Sequence, residues 1–273
     1  MLNYETDILG ENKTWVVFIH GAGGSLKSWG YQRSDLARHF NLLLIDLRDH
    51  GSSKNREPEH DSYQFTHITT DILQVIDHLE IQEAHFITLS FGSVLLQDLA
   101  MKRPGLLLHI VMAGGIFKGN LMIRTFVQLA RVFNLFLTYP QMYRMFSYLL
   151  MPRKRNQKAR RIYQIQSQKL TQKEYLKWIG LYGEFFRLLS RFYRFAFSTP
   201  TLIVMGKDDY IFLKGARDYS GLHRNAQLVE IPATGHICNI EKPKFFNRLV
   251  IDFLGASREK SQKPRSKVQS VSN

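Results

Sequence analysis

Apolar positions along the chain fall into two alternating patterns. Short, nearly unbroken runs, Trp15-Val16-Val17-Phe18-Ile19, Leu42-Leu43-Leu44-Ile45, Phe86-Ile87-Thr88-Leu89 and Leu106 to Met112, read as strands covered on both faces. Between them apolar residues recur at helical spacing: Trp29, Leu36 and Phe40 within 25–40, then Ile68, Ile72, Val75, Ile76 and Leu79 after Phe65. A short opening strand or hairpin is expected over Asn3 to Leu9. Alternation of this kind through residue 115 is the signature of βαβ units and a parallel sheet.

The alternation stops between residues 116 and 198, which read as helical throughout, and resumes with a strand at Thr201 to Met205, a helix at Leu213 to Leu222, a strand at Ala226 to Ile231 and an amphipathic helix at Pro243 to Leu254. The expected organisation is therefore a core formed by 1–115 and 199–255, a helical insertion at 116–198, and a disordered basic tail at 256–273 rich in Ser, Lys, Arg and Gln. Charge marks the same boundary. The 273 residues carry a net charge of +14, and 117–198 hold sixteen basic side chains against Glu174 and Glu184 alone, so this one segment carries the whole excess. Such a patch suits an anionic substrate or an anionic membrane surface. No nucleic-acid motif accompanies it, so a nucleic-acid partner is not expected.

The chemistry concentrates where strands end. Phe86 to Leu89 stops at Ser90, and a helix-compatible stretch follows at once, which predicts a sharp turn with the serine at its tip and amide groups of a new helix behind it. A serine hydroxyl needs a base, and the base needs an orienting acid. Gly206-Lys207-Asp208-Asp209 closes one later strand and Ile231 to His236 closes the next, so both partners are available in the order Ser, Asp, His. The glycine loop His20-Gly21-Ala22-Gly23-Gly24 lets backbone amides approach a ligand closely.

With these segments the chain resembles the α/β-hydrolase fold superfamily, in its branch of small serine hydrolases with a helical cap. The resemblance rests on His20 to Gly24, on Asp46-Leu47-Arg48-Asp49-His50-Gly51-Ser52-Ser53, on Ser90-Phe91-Gly92, on Gly206 to Asp209 and on Gly235-His236. It implies a doubly wound, mostly parallel sheet with a cap inserted at 116–198, Ser90 as nucleophile, His236 as base and then acid, and Asp209 as the orienting acid, with Asp208 as the alternative. It places the oxyanion hole at the backbone N–H groups of Phe91 and Ala22, with Gly21, Gly23 and Trp29 in contact with substrate. Cap residues, among them Phe117, Leu121, Phe126, Leu129, Phe133, Phe136, Tyr139, Met142, Met145, Phe146, Leu149 and Met151, are expected to cover the site and line an apolar pocket. The implied activity is cleavage of an ester or thioester with a hydrophobic part, and the same fold hosts C–C hydrolases, acyltransferases, lyases and non-catalytic receptors.

Two positions depart from the family pattern. Thr88 stands where glycine is usual two residues before the nucleophile, implying slightly wider packing, and Asp49 replaces a glycine in a segment that is structural in the family. His20 and His50 are expected to orient loops, and Cys238 to be a small buried thiol. No cluster has metal-ligand spacing and the glycine loop lacks the Lys-Ser/Thr of a phosphate loop, so neither metal nor cofactor is expected. The first residues lack a basic signal region, no apolar run approaches the ~18 residues of a membrane span, and one cysteine suits a reducing compartment; a cytoplasmic location is expected.

Overall fold

The structure is a computed structural model and describes residues 1–54, 63–119, 121–167, 170–195 and 197–262. The polar stretch beyond Lys54 and the end of the basic tail lie outside the described residues. Seven strands form one sheet: β1 (Tyr4–Asp7), β2 (Trp15–Ile19), β3 (Asn41–Ile45), β4 (Ala84–Leu89), β5 (Leu107–Ala113), β6 (Thr201–Gly206) and β7 (Ala226–Ile231). Their spatial order is β1-β3-β2-β4-β5-β6-β7, with β1 antiparallel to β3 and every other pair parallel.

Alternating side chains of β2 show why these runs are apolar throughout. Val17 and Ile19 join one core cluster and Val16 and Phe18 the other, because successive strand residues point to opposite faces. The first face is covered by α2 (Phe65–His78), α3 (Gly92–Lys102) and α9 (Leu213–Leu222). The second packs on α1 (Gly30–Leu36), the short α10 (Cys238–Glu241) and α11 (Pro243–Gln262). Phe246, Val250 and Leu254 of α11 lie at i, i+4 and i+8 and are fully buried, each contributing roughly 1.5–3 kcal/mol.

Between β5 and β6 come α4 (Leu121–Phe133), α5 (Tyr139–Leu150), α6 (Gln157–Ser167), α7 (Gln172–Gly180) and α8 (Tyr182–Tyr193). Phe185, Leu189 and Phe192 of α8 are buried at helical spacing, with Phe185 and Leu189 in the cluster on the first face. Among the described residues no helix is long and apolar enough to cross a membrane.

The structure differs from the sequence pattern at three places. The helix expected over 25–40 is a 3₁₀ turn at Leu26–Trp29 followed by α1, with Gly30, a poor helix former, at the join. The closing helix runs past Leu254 to Gln262, carried by Ala256, Arg258, Glu259, Lys260 and Gln262, which favour helix without any apolar pattern. The third difference concerns the apolar residues of the insertion. Phe117, Tyr139, Met142 and Met151 are core, while Leu121, Leu129, Phe133 and Phe136 point to solvent. Among the described side chains of the expected set, only Phe146 lines the cavity described below.

Candidate active site

The strand order reverses direction at β2, with β3 on one side and β4 on the other, so the loops after β2 and β4 meet over the crevice where doubly wound sheets hold their ligands. Ser90 sits there at a φ of +51°, a strained conformation for a non-glycine residue. Its amide donates to the Ala113 carbonyl at 2.9 Å, and its own carbonyl accepts from the Ser93 amide at 2.9 Å, starting α3. Gly92 lets the turn close: a Cβ there would lie 2.6 Å from the Ile19 carbonyl. Thr88 is fully buried and its hydroxyl bonds the Val111 carbonyl at 3.4 Å, which satisfies the group that a glycine would lack.

The serine, histidine and acid come together. Ser90 Oγ lies 2.8 Å from His236 Nε2, and His236 Nδ1 lies 2.7 Å from Asp209 Oδ2. A carboxylate only accepts, so Nδ1 carries the proton toward Asp209, and Nε2 is left to accept from the serine hydroxyl. Histidine and aspartate are buried, and the other Asp209 oxygen accepts from the Phe212 amide at 3.1 Å. Asp208 faces away and pairs with Arg155. The turn after Gly206 decides between the two acids: the amides of Lys207 and Asp208 bond the Ile231 and Thr234 carbonyls, and that of Asp209 bonds Gly206, so Asp209 swings under the histidine loop.

The remaining expected residues divide. Ala22 and Phe91 both border the cavities beside Ser90, and among the described residues no acceptor engages either amide. Gly21 lines the narrower cavity. Gly23 lines neither of these cavities: its φ is +70°, its amide donates to His50 Nε2 at 3.0 Å, and a Cβ would come 2.4 Å from the Tyr143 ring, so it makes room for α5. Trp29 likewise lines neither cavity. It is fully buried against Phe18 with ring centroids 5.1 Å apart, because its position on the 3₁₀ turn faces the sheet.

His20 and His50 both tie loops together. Leu47 donates its amide to His20 Nε2 at 3.0 Å while His20 Nδ1 bonds the Gly21 carbonyl at 2.8 Å; His50 bonds Gly23 through Nε2 and the Arg48 carbonyl through Nδ1. Both rings are therefore neutral, each using one nitrogen as donor and one as acceptor. Burial, then the neighbouring His50, pushes the His20 pKa down to about 3, and burial lowers that of His50 as well. Cys238 is a buried thiol whose pKa burial pushes up to about 12, leaving it unreactive.

Three contributors escaped sequence reasoning. Glu241 accepts the Gly235 amide at 3.1 Å on both oxygens and bonds Asn156 of the insertion, bracing the His236 loop. Arg155, counted only among the sixteen basic side chains of 117–198, holds Asp208. Asp49 accepts from the Trp178 indole at 3.1 Å. Their common signal was only a charged side chain, which does not announce a distant partner.

Two cavities open on either side of Ser90 and His236. The wider, about 890 Å³, is walled by Phe91, Val127, Tyr143, Phe146, Trp178 and Phe185. The narrower, about 490 Å³, runs between Gly24, Ser28, Ile162, Gln166 and Ile240, where Ser28 Oγ donates to Gln166 Oε1 at 2.6 Å. No Lys, Arg, Asp or Glu among the described residues lines either one.

Fold and site define a class: an α/β protein with a doubly wound sheet, a strained serine at the end of one strand, and a histidine and an aspartate beside it at the ends of two others. The chain belongs to the alpha/beta hydrolase fold family, whose model matches residues 14–243. It is similar to rhodomycin D methylesterase DauP of Streptomyces sp. (strain C5), 34% identical over 104 residues, 37% of this chain and 35% of that protein. A 2-hydroxy-6-oxononadienedioate/2-hydroxy-6-oxononatrienedioate hydrolase of Cupriavidus pinatubonensis (strain JMP 134 / LMG 1197) is 24% identical over 267 residues, 88% of this chain and 86% of that one. The enol-lactonase from Burkholderia xenovorans LB400 superposes with a TM-score of 0.73 at 22% identity, over 93% of this chain and 96% of that one, a likeness of fold. The chain spans between 25% and 35% of the length of the first curated relatives it matches.

Proposed function

We propose that the protein is a serine hydrolase of an uncharged ester or thioester with a bulky apolar part, covered by the insertion at 116–198 acting as a cap. The observation that carries the reading is the hydrogen-bonded row from Ser90 through His236 to Asp209. Ser90 Oγ attacks the carbonyl carbon as its proton passes to His236 Nε2, and the amides of Phe91 and Ala22 receive the developing oxyanion. Collapse expels the alcohol or thiol, which takes the proton from His236. Water then attacks the acyl-enzyme, giving its proton to the same nitrogen, and Ser90 leaves with that proton restored.

The wide aromatic cavity accepts one part of the substrate and the narrow one the other, with the scissile carbonyl between them. The expectation of an anionic substrate narrows here. A carboxylate buried among these walls would lack a cation and carry a desolvation cost of several kcal/mol. The Cupriavidus relative is named for a dioate, and the uncharged lining argues for a different substrate in this chain.

The test is the initial rate on p-nitrophenyl esters from acetate to palmitate, with Ser90→Ala alongside. Turnover that disappears in the variant supports the reading, and the preferred chain length sizes the cavity. Turnover that persists in Ser90→Ala, or failure of a fluorophosphonate to label Ser90, overturns it.

A further inference from the structure

The four residues that the pattern aimed at the site and the structure turns outward lie close together in sequence. Counting 100° per residue along α4, Ile123, Val127 and Ala130 share the inward face and are buried. Leu121, Leu129 and Val132 fall on the opposite face, and all three are exposed. After Phe133 the chain tightens, with Leu135 and Phe136 donating their amides to Val132 and Phe133. That turn lifts Leu135 and Phe136 to the surface, 77% and 79% exposed. Large apolar side chains this bare, and this clustered, mark a contact surface.

The charge around them selects the partner. Arg124 and Arg131 line one edge of the apolar stripe on the same helix and are exposed, Arg131 toward solvent and Arg124 bonding the Gly119 carbonyl at 3.1 Å while it lies over the Phe186 ring. The insertion's two acids are engaged elsewhere: Glu174 caps α7 and pairs with Lys54, and Glu184 accepts the Phe65 amide at 3.0 Å. The insertion as a whole carries the +14 excess. An anionic bilayer meets both demands at once, taking apolar side chains into the headgroup–acyl boundary while arginines remain at the phosphates. We propose that the outer face of α4 and the 135–136 turn form a docking surface for anionic membranes. The inner face of the same helix supplies Ile123 and Val127 to the wide cavity, so docking sets that cavity's wall against the lipid. The basic residues of 153–161 are a poorer candidate for this contact, since Arg155 is bound to Asp208 and Arg160 to the Met151 carbonyl.

The test is sedimentation of the full chain with vesicles of phosphatidylcholine alone or mixed with phosphatidylglycerol, for wild type and the double variant L135D/F136D. Because both side chains are exposed, the variant is expected to keep the wild-type melting temperature. The expected result is binding to the phosphatidylglycerol vesicles that falls at least about tenfold in the variant, as losing two buried apolar side chains demands. It should also weaken at about 0.5 M salt, where screening shortens to a few ångströms. Three results overturn the proposal: no binding by wild type to anionic vesicles, binding that ignores L135D/F136D, or a wild-type dimer that the variant dissolves without any vesicle binding. None of these depends on esterase turnover, so the hydrolase reading stands or falls separately.

Discussion

The Trp178 indole N–H donates to the Asp49 carboxylate across 3.1 Å, joining α7 of the insertion to the loop after β3. Asp49 also accepts from the Tyr63 hydroxyl and sits at a φ of +65°, a conformation that aspartate tolerates better than most residues. Trp178 in turn stands edge-on to His50 at 4.9 Å and to Phe91 at 5.6 Å. The aspartate that replaces the family's glycine thus positions one wall of the wide cavity beside Phe91, whose amide faces the substrate in the proposed mechanism.

Asp49→Gly keeps the backbone conformation and removes only the acceptor. An indole N–H left without a partner costs about 1–3 kcal/mol. The expected outcome is a KM for a bulky ester raised roughly tenfold with kcat changed little, while p-nitrophenyl acetate is nearly unaffected. Parallel Michaelis curves check this, and equal shifts for both esters would show that the bond does not shape the cavity.

The two neighbouring acids give a sharp contrast. Asp209 touches His236 and Asp208 touches Arg155. Asp209→Asn should lower kcat by about 10⁴-fold, since an amide no longer holds the required tautomer. Asp208→Asn should leave kcat within about threefold, because the pair it loses is partly exposed and such pairs contribute little. Comparable losses in both would sink the assignment of Asp209.

Acid should weaken the fold through the paired histidines. His20 has an ordinary pKa of 6.5 and a folded value of about 3, and His50 shifts the same way. Below about pH 6.5 the unfolded chain takes up protons that the folded chain refuses, so stability is intact above that pH and falls as pH drops toward 3. The slope from His20 alone reaches about 1.4 kcal/mol per pH unit. Urea unfolding at a series of pH values measures it, and His20→Asn should flatten the curve. An unchanged slope would mean that His20 is not the group responsible.

Gly23→Ala should be severe for the addition of one methyl group, because Gly23 is buried against Tyr143. A methyl group would enter the Tyr143 ring at 2.4 Å and hold alanine at positive φ, together costing about 2 kcal/mol or more. The melting temperature should fall by several degrees, and a double-mutant cycle should show Gly23→Ala costing less in a Tyr143→Ala background than in wild type. An equal cost in both backgrounds would mean that backbone strain alone accounts for the effect.

Legibility in the sequence followed the range of the forces involved. The strand and helix alternation, the exposed turn at Ser90 and the order of serine, acid and histidine are local patterns, and each lies within a few residues of where the pattern put it. The helical character of α4 to α8 was equally visible. Which face each helix turned was not. Leu121, Leu129, Phe133 and Phe136 are as apolar as Phe146, and nothing in their spacing says which of them meets the site. Trp29 and Gly23 line neither cavity for a related reason: adjacency to a glycine loop in sequence is not adjacency to the space it borders.

By itself the sequence determined the family, the sheet and the placing of Ser90 and His236 after strand ends, because hydrophobic periodicity and turn chemistry act over neighbouring residues. Tertiary structure decided that Asp209 rather than Asp208 meets His236, that Asp49, Arg155 and Glu241 bind the insertion to the site loops, and that no charged side chain of the described residues enters the cavities. Those outcomes depend on partners as far apart as Asp49 and Trp178. Contacts of that span are set by how packed layers meet, which no local pattern encodes.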